Sequence, residues 1–197
     1  MARKHVAALA ALLLALAGCG GEEPGEAETT RSPEYERADL TLLPSSALPE
    51  GWTEVTVQER LGSSPGIPQY CGVRAAPADV AEGRITTYDE GRALDRYVIV
   101  WSMVADENDA RQVMDDLASH RDECVQEDGR TGRPISTQVG DESIGWAFDE
   151  PASSAFQAIV FRRDEVVVVV AAPAATVLPD AEQRAIAAAI DQRLLDG

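Results

Sequence analysis

The chain has 197 residues, 45% of them hydrophobic, and its 17 Lys and Arg against 34 Asp and Glu give a formal net charge of −17. That length supports one domain with a sizeable core and is short for two. So acidic a surface keeps a domain soluble and repels phosphodiester backbones and anionic headgroups at long range, which argues against nucleic acid as a partner.

At the N-terminus, Arg3, Lys4 and His5 precede an apolar run from Val6 to Ala17 that ends on Ala17 and Gly18. A basic start, a short apolar core and a small-residue exit make a secretory signal peptide. The run is shorter than the roughly 20 residues that cross a bilayer, so it targets rather than spans. Leu16-Ala17-Gly18-Cys19 resembles the lipobox of bacterial lipoproteins, in which the chain is cleaved before a diacylglycerol-modified cysteine. The resemblance implies that residues 1–18 are removed and that Cys19 carries two acyl chains, enough for stable attachment to the outer face of the cell membrane. An ordinary signal peptide followed by an incidental free thiol is the alternative. After Cys19 the chain has no lysine, while Arg, Ala, Val, Asp and Gly abound. That bias suggests a GC-rich genome and, with the lipobox, an actinobacterium.

Residues 19–39 are rich in Gly, Glu, Pro and Thr and hold too few large apolar side chains to offset chain entropy. They read as the lipidated cysteine and a disordered acidic tether that holds the domain clear of the lipid headgroups, with residues 40–197 forming an extracytoplasmic domain. Within that domain, Gly51 to Arg60 places Val55 and Val57 two apart, as in a half-buried strand. Gly83–Glu90 and Leu94–Val104 read as a strand pair about Gly91. The second is almost continuously β-branched and aromatic, which suits a central strand.

From Ala105 to Cys124 the spacing turns helical, with Ala110, Val113, Met114, Leu117 and Cys124 on one face. Asp106 suits the N-cap, and Glu107 and Asp109 suit the positive end of the helix dipole. Pro134–Phe148 carries a turn at Gly140-Asp141, and Ala155–Pro173 reads as a hairpin broken at Arg163-Asp164. Its second strand, Val166–Val170, is apolar on both faces and must be covered on both, since an exposed strand of this kind aggregates. A last helix over Pro179–Leu195 presents Ile186, Ile190 and Leu194 as one stripe. The class is therefore α+β: a mainly antiparallel β-sheet with helices packed on it, in a single domain.

With Cys19 lipidated, Cys71 and Cys124 remain, and an even pair in an oxidising compartment is most economically a disulfide. A reactive thiol or metal pair is the alternative, without a CxxC or Cys/His cluster to support it. Gly62 to Gly66 has the letters of a G-x-S-x-G nucleophile elbow, but Pro65, Gly66 and Pro68 forbid the helix that must follow it. A triad of Ser64, His120 and a carboxylate is correspondingly weak, and His120 reads as a surface residue. Asp106-Glu107-Asn108-Asp109 begins like a calcium loop but lacks the other ligands, and Asp115-Asp116, Asp122-Glu123 and Glu127-Asp128 read as a solvated acidic face. Trp52, Trp101 and Trp146 are core residues or, alternatively, line a pocket. The sequence shows no catalytic constellation, metal site or cofactor motif.

Several short features together resemble the extracellular sensor domains of mycobacterial PknH-type Ser/Thr kinases and related actinobacterial lipoproteins. They are Leu48-Pro49-Glu50-Gly51-Trp52, the cysteine closing a helix at Cys124, the Gly140–Ser143 turn, the hairpin from Val160 to Val170 and the closing helix from Ala185 to Leu195. The resemblance implies an antiparallel sheet flanked by helices and a cleft for an unknown small ligand. The kinase sensor domain has two disulfides where this chain has one candidate. Lipoproteins of the Mog1/PsbP-like fold are a competing resemblance, and neither family supplies ligand residues. The expected function is a non-catalytic, membrane-anchored ligand-binding or sensor domain holding a small apolar or amphipathic molecule between sheet and helices. A lipoprotein docking on an envelope complex or receptor is the alternative.

Overall fold

The computed structural model describes residues 31–58, 67–91, 96–126, 129–148, 156–172 and 180–197. In chain order they form α1 (Pro33–Asp39), β1 (Trp52–Gln58), β2 (Gln69–Tyr70), β3 (Val73–Arg74), β4 (Glu82–Glu90), β5 (Tyr97–Val104), α2 (Glu107–Ala118), β6 (Arg133–Ile135), β7 (Glu142–Phe148), β8 (Phe156–Arg163), β9 (Val166–Ala172) and α3 (Asp180–Asp196). Seven strands form one sheet in the order β1-β4-β5-β9-β8-β7-β6, antiparallel throughout, and β2 pairs with β3 in a separate hairpin. This is the α+β architecture that the periodicities predict.

The sheet is the middle of three layers, as its central strand requires. Every residue of β9 is buried. Val166, Val168 and Val170 share a core with Ile186, Ile190 and Leu194 of α3 and Ala38 of α1. Val167 and Val169 face the other way, onto Ala110, Val113, Met114 and Leu117 of α2. At about 1.5–3 kcal/mol for each fully buried aliphatic side chain, neither cover is dispensable. Gly140 makes the predicted turn into β7: its φ is +68°, and a Cβ there would lie 2.3 Å from the Arg162 carbonyl oxygen. Beside that turn, Arg163 forms a two-pronged pair with Asp191 at 2.8 and 3.0 Å, fastening α3 to the end of β8.

Three boundaries differ from the sequence reading. Asp106 caps α2 as expected, its carboxylate accepting the Asn108 N–H at 2.8 Å, but the helix ends at Ala118 rather than Cys124. Ser119 turns its hydroxyl back to the Asp116 carbonyl at 2.7 Å, and the N–H groups of His120 and Arg121 bond carbonyls three residues back, which tightens and closes the helix. In β1 the register slips between Glu54 and Thr56, leaving Val55 43% exposed and Val57 half-buried, so Trp52 is the one fully buried residue of that strand. The bulge lies on an edge strand, where it hinders pairing with another chain.

The third difference is α1, which occupies residues 33–39 of the segment read as tether. The compact unit accordingly runs from Arg31 to Gly197. Ser32 caps the helix, accepting the Tyr35 N–H at 3.2 Å, and Pro33 opens it. Ala38 is its one buried residue, and the segment docks through charge instead. Fully buried Arg84 of β4 donates to Asp39 at 2.9 and 3.1 Å and to Glu82 at 2.8 Å, with its guanidinium 4.3 Å from the centre of the Tyr35 ring. Arg37 donates to Asp164 at 3.0 Å, to Glu165 at 2.9 Å and to the Leu194 carbonyl at 2.8 Å.

Removing one partner of a buried pair leaves the other charge uncompensated. Asp39→Ala is expected to cost about 2 kcal/mol, read as a lower urea midpoint; the loss stays modest because Asp39 is partly exposed and Glu82 still holds Arg84. A second prediction concerns alkali. Burial pushes the Tyr88 phenol from 10.0 up to about 12, opposed by the Leu43 N–H that its oxygen accepts. The unfolded chain therefore ionises first. This contribution to stability is intact below pH 10 and is lost as pH rises through about 12. Denaturation midpoints should fall over that interval, less steeply in Tyr88→Phe.

Candidate functional site

Cys71 and Cys124 form the expected disulfide, with Cα atoms 4.6 Å apart. Cys71 and Gly72 are the two loop residues of the β2–β3 hairpin, both with positive φ, 58° and 77°. That is the two-residue turn favoured by strand twist, with a cysteine where Asn or Gly is usual. The bond pins the hairpin tip to the chain after α2. Next to it, Tyr70 packs on Trp146 and Phe156 with ring centres 6.0 and 6.1 Å away, and Phe156 stacks on Phe148 at 4.4 Å. Burial drives the Tyr70 phenol well above its ordinary value. The Trp146 indole N–H donates to the Arg121 carbonyl at 3.0 Å, which holds the turn after α2 against the same cluster.

The remaining sequence candidates separate. Cys19 and Ser64 lie outside the described residues. His120 is exposed, and its Nδ1 meets the Ser119 hydroxyl at 2.8 Å and the Asp116 carbonyl at 3.0 Å, contacts of a helix end rather than of a base oriented by a carboxylate. Asp106 is occupied as a cap, and among the described residues no group of three or more His, Cys, Asp or Glu is placed to hold a metal ion. Trp52 and Trp146 are core residues.

Trp101 is different, because it lies on a stretch of β4 and β5 that the described residues cover unequally on its two faces. On the α1 and α3 side, Arg84, Thr86 and Tyr88 of β4 and Val98, Val100 and Ser102 of β5 are buried. On the opposite side α2 packs on β7, β8 and β9, while Ile85 and Trp101 pack at the margin of the same core with Ile67, Val73 and Val80 and are only partly buried by the described residues. There Ile85 and Thr87 of β4, and Tyr97, Ile99 and Trp101 of β5, are half-buried. The register sets them side by side as Ile85 with Trp101, Thr87 with Ile99 and Asp89 with Tyr97. The result is a strip of aliphatic and aromatic surface with a carboxylate at one end and an indole at the other. Asp89 is itself 1% exposed, and the Trp101 Nε1 is shielded from solvent with no acceptor. Leaving such a donor unpaired costs about 1–3 kcal/mol, so this strip is not optimised for stability alone.

Sequence reasoning singled out Trp101 without separating it from the two core tryptophans, and it missed Asp89. The only trace of Asp89 was its parity, in step with Ile85 and Thr87 along a strand whose other face carries Arg84 and Thr86 and looks equally polar.

No family model and no curated protein matches this sequence. Among solved structures, the extracellular domain of PknH from Mycobacterium tuberculosis matches with a TM-score of 0.58 and 17% identity, over 83% of this chain and 97% of that one. An uncharacterized protein from Mycobacterium smegmatis, the Rv0999 ortholog, matches with a TM-score of 0.46 and 14% identity, over 82% of this chain and 98% of that one. The chain is thus an α+β domain with helices on both faces of an antiparallel sheet. Its fold is that of the PknH extracellular domain, as the short sequence features imply.

Replacing Cys71 and Cys124 together with alanine should lower stability by about 4 kcal/mol in the chain-entropy account of a loop this long. Urea denaturation measures that loss, and near-ultraviolet circular dichroism should report loosening of the cluster around Tyr70.

Proposed function

We propose that this protein is a non-catalytic ligand-binding or sensor domain, held by lipid on Cys19 at the outer face of the cell membrane. Its ligand is a small apolar or amphipathic molecule lying on the α2 side of β4 and β5. The observation that carries this reading is the alternation along β5. Val98, Val100, Ser102 and Val104 are buried on one side, while Tyr97, Ile99 and Trp101 are only half-buried on the other. A contiguous aromatic and aliphatic surface with a few polar groups is what small-molecule sites are built from.

Placement outside the cytoplasm draws support from the leader, the Cys71–Cys124 bond and the likeness to the extracellular domain of PknH. The lipobox motif supports the anchor. The exposed position of His120, without an orienting carboxylate, favours binding over hydrolysis.

The test is native mass spectrometry of the mature protein, extracted without reductant from the envelope of an actinobacterial host. A diacylglycerol mass on Cys19 and a stoichiometric small molecule on the folded domain are expected. An unacylated Cys19 overturns the anchor, and a protein that carries no ligand overturns the binding reading.

A further inference from the structure

Asp89 is the strip's chemical peculiarity. It sits in β4 directly opposite Tyr97, flanked on its own face by Thr87, and is 1% exposed. Among the described residues its carboxylate has one side-chain partner, the Thr53 hydroxyl at 3.1 Å. A carboxylate withdrawn from water is ordinarily held by a cation or by several donors. The arginines closest in the strands are committed elsewhere: Arg84 points to the other face and pairs with Asp39 and Glu82, and Arg96 pairs with Glu90 and Glu182. Among the described residues a carboxylate is thus buried beside an aromatic residue with a hydroxyl, and no cation, for a side-chain partner.

At the far end of the strip, Trp101 offers its unpaired indole N–H. The Asp89–Tyr97 pair and the Ile85–Trp101 pair are four residues apart along the strands, about 13 Å, with Thr87 and Ile99 between them. Resting on the binding reading above, we propose that the ligand is an amphipathic ammonium compound. Its cationic head pairs with Asp89 beside Tyr97, its apolar body lies along Ile99 and Ile85, and a hydrogen-bond acceptor near its other end meets the Trp101 Nε1. Aromatic rings and a carboxylate together favour substituted ammonium groups, which attract both the ring quadrupole and the negative charge. The net charge of −17 raises the local concentration of such cations and steers them inward.

The test uses the mature full-length protein and three probes with the same chain and different heads: octyltrimethylammonium, octyl glucoside and octanoate. Isothermal titration calorimetry gives their affinities, and tryptophan fluorescence reports on Trp101. Octyltrimethylammonium should bind at least tenfold more tightly than the other two, with a fluorescence change that disappears in Trp101→Phe. Asp89→Asn should abolish that preference, bringing the affinity for octyltrimethylammonium down to that for octyl glucoside. Should Asp89→Asn fail to fold, Tyr97→Leu serves in its place, and it should weaken the ammonium probe by a factor several times larger than it weakens the glucoside. Equal binding of all three probes, or a preference for octanoate, overturns the ammonium assignment and leaves the binding reading intact. If none of the three binds, both fall.

Discussion

Five consecutive valines at the centre of the sheet set the terms for everything around them. A strand apolar on both faces is stable only between two covers, because either face left in water would forfeit several side chains' worth of burial and template aggregation. Here α3 and α1 lie on one side of β9 and α2 on the other, so an antiparallel sheet acquires the three-layer arrangement more usual for parallel ones. The antiparallel partners β5 and β8 flank β9 and carry the same demand outward, and it weakens toward the edges.

How each cover is attached differs. Helix α3 is seated by its apolar stripe and fastened at one end by the Arg163–Asp191 pair. Helix α1 buries almost nothing and is held by Arg84 and Arg37. On the far side, the β2–β3 hairpin is too short to hold itself against the sheet, and the Cys71–Cys124 bond joins it to the chain beyond α2. Hydrophobic stripes, buried ion pairs and a covalent tie thus each do what the local composition permits.

The candidate site arises from the same economy. One helix, α2, cannot span a seven-stranded sheet, and it sits over β7, β8 and β9, where the valines and aromatic rings require it. Over β4 and β5 the described residues leave Trp101, Ile99 and Tyr97 half-buried, with Asp89 buried beside them. A function placed there uses surface that the core does not need. The strip also holds a buried indole N–H without an acceptor and a sparsely partnered carboxylate, so stability was not maximised there.

What the sequence determined by itself were the features with local causes: the central two-sided strand, the apolar stripes of α2 and α3, the cap at Asp106, the turn at Gly140 and the pairing of Cys71 with Cys124. Each follows from periodicity, backbone preference or redox chemistry that a few neighbouring residues carry. The tertiary structure decided what depends on partners distant in the chain. Residues 33–39 became a helix because Arg84 and the Asp164-Glu165 turn supply charges that composition does not register. Val55 left the core through a slip in register against β4. Trp101 parted from Trp52 and Trp146 because it is only half-buried where α2 packs chiefly on β7, β8 and β9, and Asp89 became notable because the register against β1 and β5 buries it with few partners. Burial is a property of what another segment covers, and no local pattern contains that information.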